Sequence, residues 1–140
     1  MLKDYLCIAF GVCGSFVIKH FGGWDESLTA LVLFMCIDYV MGIIVASVFH
    51  KSRKTENGGL DSHAGWKGLC RKGVTLLFVI VGNELDVVAG TDYIRNAVIM
   101  GFIANEVISI VENAGLMGIE LPPVITKAIE VLQQRKANEK

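Results

Sequence analysis

Residues 27–49 form the apolar run that most constrains what this chain can fold into. The run, SLTALVLFMCIDYVMGIIVASVF, holds one charged residue, Asp38. As a helix it would extend about 35 Å at a rise of ~1.5 Å per residue, enough to cross a hydrocarbon layer of roughly 30 Å. A helix this apolar on all sides is too long for the small core that a water-soluble chain of 140 residues can build. The run therefore predicts a transmembrane helix.

Three further apolar segments repeat this pattern, at residues 5–21, 73–90 and 94–117. The first could be read as a signal peptide, but its basic start is weak and no small-residue cleavage site follows, so we expect it to be retained. The composition, 53% hydrophobic against ~45–50% apolar in an average soluble domain, also favours lipid as the solvent. We predict an all-α integral membrane protein with about four transmembrane helices, in a domain covering residues 1–118.

The lysine and arginine residues are unevenly distributed, and this asymmetry predicts the topology. Six of them lie between the second and third apolar segments: Lys51, Arg53, Lys54, Lys67, Arg71 and Lys72. The turns at 22–26 and 91–94 hold none. Because short cytoplasmic loops are enriched in these residues, we expect the 50–72 loop and both termini to be cytoplasmic. An alternative leaves the first segment, or the 73–117 hairpin, only partly inserted.

The 50–72 loop is expected to lie at the membrane surface. There its six cations either bind an anionic leaflet or only enforce the topology. After the fourth segment, Pro122 and Pro123 end the helix. Apolar residues then recur at helical spacing, which predicts a short amphipathic helix in a cytoplasmic tail, residues 119–140. The net charge of -1 does not indicate a nucleic-acid partner.

Polar residues form a stripe along the fourth apolar segment. They are Asn105, Glu106, Ser109, Glu112 and Asn113, which fall within an arc of roughly 120° on a helix. An acid at the centre of a transmembrane helix costs ~2.5–3.5 kcal/mol on insertion scales, so the stripe should face protein or water. It either lines an aqueous lesion or subunit contact, or forms a hydrogen-bond network inside one bundle. Glu84 and Asp86, near the outer end of the third segment, are predicted to join the lesion or contact, or to reach the outer interface.

Asp38 is the one acid inside the second apolar segment. It shares a helix face with Gly42 and Ala46, a spacing typical of close helix packing. One candidate partner is Lys19 or Arg95, the cations that lie in or beside other segments. Alternatively, Asp38 is hydrogen-bonded locally within the packed helices.

No arrangement typical of soluble catalysis is present in the sequence. No nucleophile is paired with a base, and neither a phosphate-binding loop nor metal-ligand spacing occurs. The four cysteines lack CxxC or CxxH pairing and fit best as small packing residues, with a disulfide or metal site as the alternative. We therefore expect a protein without enzymatic activity, cofactor or metal.

Several motifs resemble those of the clostridial toxin-secretion and phage-lysis holin family. They are DYVMGI at 38–43, GWKGLCRK at 65–72, the Leu85–Asp86 pair, and IANEVISIVENAG at 103–115 followed by LPP. The resemblance extends over about residues 27–133. It implies a homo-oligomer in the bacterial cytoplasmic membrane, in contact with membrane lipid, that opens lesions. Through these an endolysin reaches the cell wall or a large toxin leaves the cell, and no cofactor is implied.

Two other functions are compatible with the same residues. A small proton-coupled dimeric transporter of the multidrug type would also have four spans with intramembrane acids, and would give graded drug tolerance. A membrane scaffold that recruits a cytoplasmic partner through its basic loop and tail would leave membrane permeability unchanged.

Overall fold

A computed structural model describes residues 1–138, and within them the chain is all helical, as predicted. Its five helices are α1 (Leu2–His20), α2 (Glu26–Ser47), α3 (Ser62–Ala89), α4 (Ile94–Leu116) and α5 (Pro123–Asn138). Short turns join α1 to α2 and α3 to α4, so successive helices alternate in direction. Side chains of the last residues of the tail, including the basic residues Arg135, Lys136 and Lys140, lie outside the described part.

Two helices, α2 and α4, are long and apolar enough to cross a membrane. They have 22 and 23 residues, close to the ~20 that the hydrocarbon layer requires. Helix α1 is apolar in its middle but carries Lys3, Asp4 and Lys19 near its ends. In α3 the apolar stretch between Lys72 and Glu84 is shorter than a full span. Length and composition thus give two candidate spans where the sequence predicted about four.

Helix α3 begins at Ser62, well before the predicted start at residue 73. The Asp61 carboxylate accepts hydrogen bonds from the backbone N–H groups of His63 (3.0 Å) and Ala64 (3.2 Å), donors that the first helical turn leaves unpaired. The prediction of one continuous loop over 50–72 is therefore wrong, because this cap starts a helix inside it. At 28 residues, α3 is about 42 Å long.

The core lies between α2, α3 and α4. Its buried cluster consists of Leu28, Leu31, Met35, Val79 and Ile99. Helix α2 packs most extensively on α4, and α3 packs on α4 as well. Helix α1 contributes no buried residue and contacts α3, while α5 lies against α4 and buries Ile129. A three-helix unit thus carries the core.

The two ends of the bundle differ, and we name them by their polar residues. The clamp end holds the turns 21–25 and 90–93, where Arg95 at the start of α4 binds the first turn. The basic end holds the loop 48–61 and the first turns of α3, with most of the cations predicted for the membrane surface.

The loop 48–61 is folded on itself at the basic end. The backbone N–H of Ser52 donates to the Gly58 carbonyl (2.9 Å), and the Thr55 hydroxyl donates to the Gly59 carbonyl (2.9 Å). Gly58 has a φ of 69°, and a Cβ there would collide with the His50 carbonyl. Only glycine can adopt this backbone conformation without a clash. The closed loop holds its lysine and arginine residues beside the helices.

Candidate functional site

Three charged side chains meet inside the bundle, about halfway along α2 and α4. The Lys72 ammonium donates to Asp38 Oδ2 (2.8 Å) and to Glu106 Oε2 (2.5 Å). The exposed fractions of the side chains are 15% for Lys72, 6% for Asp38 and 13% for Glu106. One cation thus bridges two carboxylates, and the ion cluster carries one excess negative charge when all three groups are ionised.

Lys72 does not lie where the sequence predicted. The sequence assigns it to the membrane surface and gives Lys19 or Arg95 as the partner of Asp38. Both predictions are wrong, because α3 begins early enough to carry Lys72 onto α2 and α4 as a helical residue. The signal that sequence reasoning missed is Asp61, a capping residue with no proline between it and the apolar run.

The polar residues on the inner side of the α4 stripe surround the Asp38 carboxylate. Asn113 is buried, and its amide donates to Asp38 Oδ1 (3.0 Å). Ser109 lies within hydrogen-bonding reach of Asp38, and Glu106 shares Lys72 with it. These contacts have the form of the internal hydrogen-bond network that was one of the two sequence-based alternatives.

The outer part of the α4 stripe is exposed. Asn105 and Glu112 are seven residues apart, which is about two helical turns, so they lie on one side of α4. Glu112 forms no ion pair within the part of the chain that the structure describes. A lesion lining or oligomer contact at the stripe stays a prediction.

Arg95 holds the clamp end together. Its guanidinium donates to Asp25 Oδ2 (2.7 Å), to the Gly23 carbonyl (3.1 Å) and to the Phe21 carbonyl. The Arg95 side chain is 8% exposed, so this cation is buried with one acid, two backbone carbonyls and the Asn96 side-chain oxygen (3.1 Å) as partners. It is the only lysine or arginine of the third and fourth apolar segments, a signal that could have identified it from the sequence.

Asp25 lies outside the spans and caps α2 while it pairs with Arg95. Its carboxylate also accepts the backbone N–H of Leu28 (2.9 Å). The hydrogen bond from Arg95, more than any other contact, holds the pKa of Asp25 below its ordinary value of 3.8, against the opposing effect of desolvation. The clamp therefore keeps Asp25 ionised at neutral pH.

The two acids predicted near the outer end of α3 have partners at the clamp end. Asp86 is buried and accepts the backbone N–H groups of Ile94 (3.0 Å) and Arg95 (2.8 Å), which caps the start of α4. Glu84 lies 2.7 Å from His20 Nδ1 and links α1 to α3. These contacts are within one copy of the chain, and a role of either acid in a lesion or oligomer contact stays a prediction.

A groove opens at the basic end, between the loop 48–61 and the facing parts of α2, α3 and α4. Its small wall residues are Gly42, Ala46, Ala64, Gly65 and Gly68. Asp38 and Lys72 also line this basic groove, so the ion cluster is reached from the basic end. Of the residues predicted to pack helices, Ala46 is buried and Gly42 half-buried, and both face the groove.

The described residues include no group of side chains that could bind a metal ion. Within residues 1–138, no three or more histidine, cysteine, aspartate or glutamate side chains are grouped so that they could hold an ion. The four cysteines, Cys7, Cys13, Cys36 and Cys70, are free thiols with exposed positions.

Comparison with known proteins identifies the relatives of this chain. The sequence model of the bacteriophage holin family matches residues 15–134. An uncharacterized protein of Listeria innocua is 32% identical over 120 residues, which cover 85% of this chain and 80% of the relative. An uncharacterized protein of Clostridium perfringens is 31% identical over 134 residues, 93% of each chain. A protein of Bacillus phage phi105 named probable holin is 32% identical over 112 residues, 79% of this chain and 77% of the relative. No solved structure gives a significant match.

Proposed function

The chain belongs to the bacteriophage holin family, and on that premise we propose that its copies assemble in the bacterial cytoplasmic membrane and open lesions there. The family is non-enzymatic and forms membrane pores, so membership confirms both the resemblance to holins and the expectation of a non-enzymatic protein. The proposed lesions release a cytoplasmic endolysin for host lysis, or a large toxin.

In the proposed arrangement, all of α1 to α4 cross the membrane and both termini are cytoplasmic. The length and apolar character of α2 and α4 support two of these crossings. Helices α1 and α3 complete the other two, because short turns at the clamp end join each of them to an apolar helix. The cations of the basic end then lie on the cytoplasmic side, where short loops are enriched in lysine and arginine.

The observation that carries the proposal is the division of the α4 stripe. Glu106 has a cation inside the bundle, whereas Glu112 is exposed and has no ion pair among the described residues. An exposed carboxylate on an apolar helix is tolerated only where water or protein covers it, because acyl chains cannot solvate it. We therefore assign Glu112, with Asn105 on the same side of α4, to the contact between copies or to the lesion lumen. Glu106, Ser109 and Asn113 hold α4 in position for this contact.

The proposal predicts that Glu112→Leu delays or abolishes lysis while the protein still inserts. The measurement is the lysis time of bacteria that express the variant together with an endolysin, alongside the amount of protein in the membrane fraction. Glu120→Leu is the matched control, because Glu120 is an exposed acid in the linker after α4. Unchanged lysis timing in Glu112→Leu contradicts the assignment.

Expression of the chain alone separates this function from its rivals. A lesion-forming protein causes an abrupt loss of membrane potential and growth arrest. Graded tolerance to drugs without killing would instead indicate a proton-coupled transporter, and unchanged permeability would indicate a scaffold.

A further inference from the structure

We infer that the basic groove binds one anionic phospholipid, with the lipid phosphate among the cations at the groove opening and an acyl chain along its wall of small residues. The inference rests on the membrane location within the proposed function and does not depend on lesion formation.

Two adjoining cavities bring cations of the loop and of α3 together. The second cavity shares Lys54, Asp61, Ala64 and Gly68 with the basic groove. Apart from Lys72, which is held in the ion cluster, the cations that line one or both cavities are Arg53, Lys54, Lys67 and Arg71. None of them forms an ion pair with a carboxylate in the described ranges. Lys67 and Arg71 are four residues apart on α3, so they project from one face toward the same cavity. Their charge is available to an anion.

The acids that line the cavities offset only part of this charge. Asp61 is bound by two backbone N–H groups at the start of α3, and Asp38 is already paired with Lys72 inside the bundle. Glu112 is exposed and lines the basic groove from α4, so its charge opposes that of Arg53 and Lys54. With Lys72 and Asp38 paired to each other, the two cavities hold four further cations against the two acids Asp61 and Glu112, so the excess charge is positive.

The groove wall fits a hydrocarbon chain. A Cβ added at Gly42 or Gly68 would meet no atom within 4 Å, so the space beside these residues is open. Ile43, Leu60 and Leu116 add apolar surface to the same lining. Basic pockets between transmembrane helices at the cytoplasmic side are typical binding sites for anionic lipid headgroups.

The position of the groove opening along the membrane normal also agrees with the level of the lipid headgroups. Trp66 lies on the first turns of α3, between the capping residue Asp61 and the groove cation Lys67, and its side chain is 63% exposed. Tryptophan is enriched at the level of the headgroups, where its ring contacts both the apolar and the wet phase. An exposed tryptophan at this position places the groove opening near the phosphates of the leaflet.

The test is lipid binding by the purified full-length protein in dodecyl maltoside. Dioleoylphosphatidylglycerol is titrated in, and bound lipid is counted by native mass spectrometry, with dioleoylphosphatidylcholine and inorganic phosphate as comparison ligands. We expect one phosphatidylglycerol molecule to bind to each protein chain, and to bind more tightly than phosphatidylcholine or inorganic phosphate. The double variant Lys54→Gln with Arg71→Gln weakens its binding about 25-fold, since each cation near an anionic surface contributes roughly a fivefold change. Gly68→Leu fills the groove and also weakens binding.

Matched controls make each result decisive. Lys51→Gln with Lys127→Gln removes the same charge from positions that line neither cavity, and Gly73→Leu adds the same side chain to α3 where a Cβ also meets nothing within 4 Å. Both controls should bind phosphatidylglycerol like the parent protein. The inference is wrong if a control weakens phosphatidylglycerol binding as much as its site variant does. It is also wrong if inorganic phosphate binds as tightly as the lipid. These readouts are independent of lysis timing, so failure here and failure of the proposed function are distinguishable.

Discussion

Arg95 and Lys72 are the two largely buried cations among the residues whose side chains the structure describes, and they bind different kinds of partner. Arg95, at the clamp end, has one acid, two backbone carbonyls and the Asn96 amide oxygen around it. Lys72, in the middle of the bundle, has two carboxylates. The Arg95 acceptors are parts of a turn that water can reach, whereas the Lys72 acceptors are charged groups that the bundle encloses. Removing the cation should therefore be far more harmful at Lys72.

The largest effect is expected for Lys72→Met. This change leaves Asp38 and Glu106 facing each other as uncompensated buried acids, and breaking a buried pair in this way costs about 3–5 kcal/mol. The measurement is the thermal unfolding midpoint of the purified protein in detergent, which should fall strongly.

A compensated variant shows whether charge is the cause. Lys72→Met combined with Asp38→Asn and Glu106→Gln removes all three charges, so most of the lost stability should return. If the triple variant is no more stable than Lys72→Met, the loss comes from packing and the account of the ion cluster is wrong.

A smaller effect is expected for Arg95→Met. Water can replace the guanidinium at the two backbone carbonyls of the turn, and Asp25 is half-exposed and remains hydrated without its partner, so no buried charge is left uncompensated. The unfolding midpoint should fall by less than in Lys72→Met. Destabilisation equal to that of Lys72→Met would remove the distinction drawn between the two sites.

The smallest effect is a pH dependence of the clamp. Because the pKa of Asp25 is lower in the folded chain than its ordinary value of 3.8, its contribution to stability is complete above that value and is lost as the pH falls through the folded-state pKa. Between about pH 6 and about pH 3, the parent protein should lose more stability than Asp25→Asn, which keeps a capping side chain but cannot ionise. Parallel pH profiles of the unfolding midpoint would show that Asp25 is not coupled to Arg95.

The helices of this protein were largely predictable, whereas the ion cluster was not. Long apolar runs fix where α2 and α4 lie, since few other structures accommodate them. The partner of Asp38 depends on how far α3 extends toward its N-terminus, and that depends on one cap at Asp61 inside a segment that otherwise has the composition of a loop. Periodicity placed Asn105, Glu106 and Glu112 on one stripe, but it could not say which of them α2 and α3 would cover. That division follows from packing between distant segments.

The absence of any buried side chain in α1, within the described residues, means that the hydrophobic core closes without it. A helix of 19 residues is then attached mainly by the turn that follows it and by the contact of His20 with Glu84. Little interior surface is uncovered when such a helix swings outward, so this movement has a low energetic barrier compared with separation of α2 from α4. Helix α1 is therefore the segment that can most readily exchange one neighbour for another.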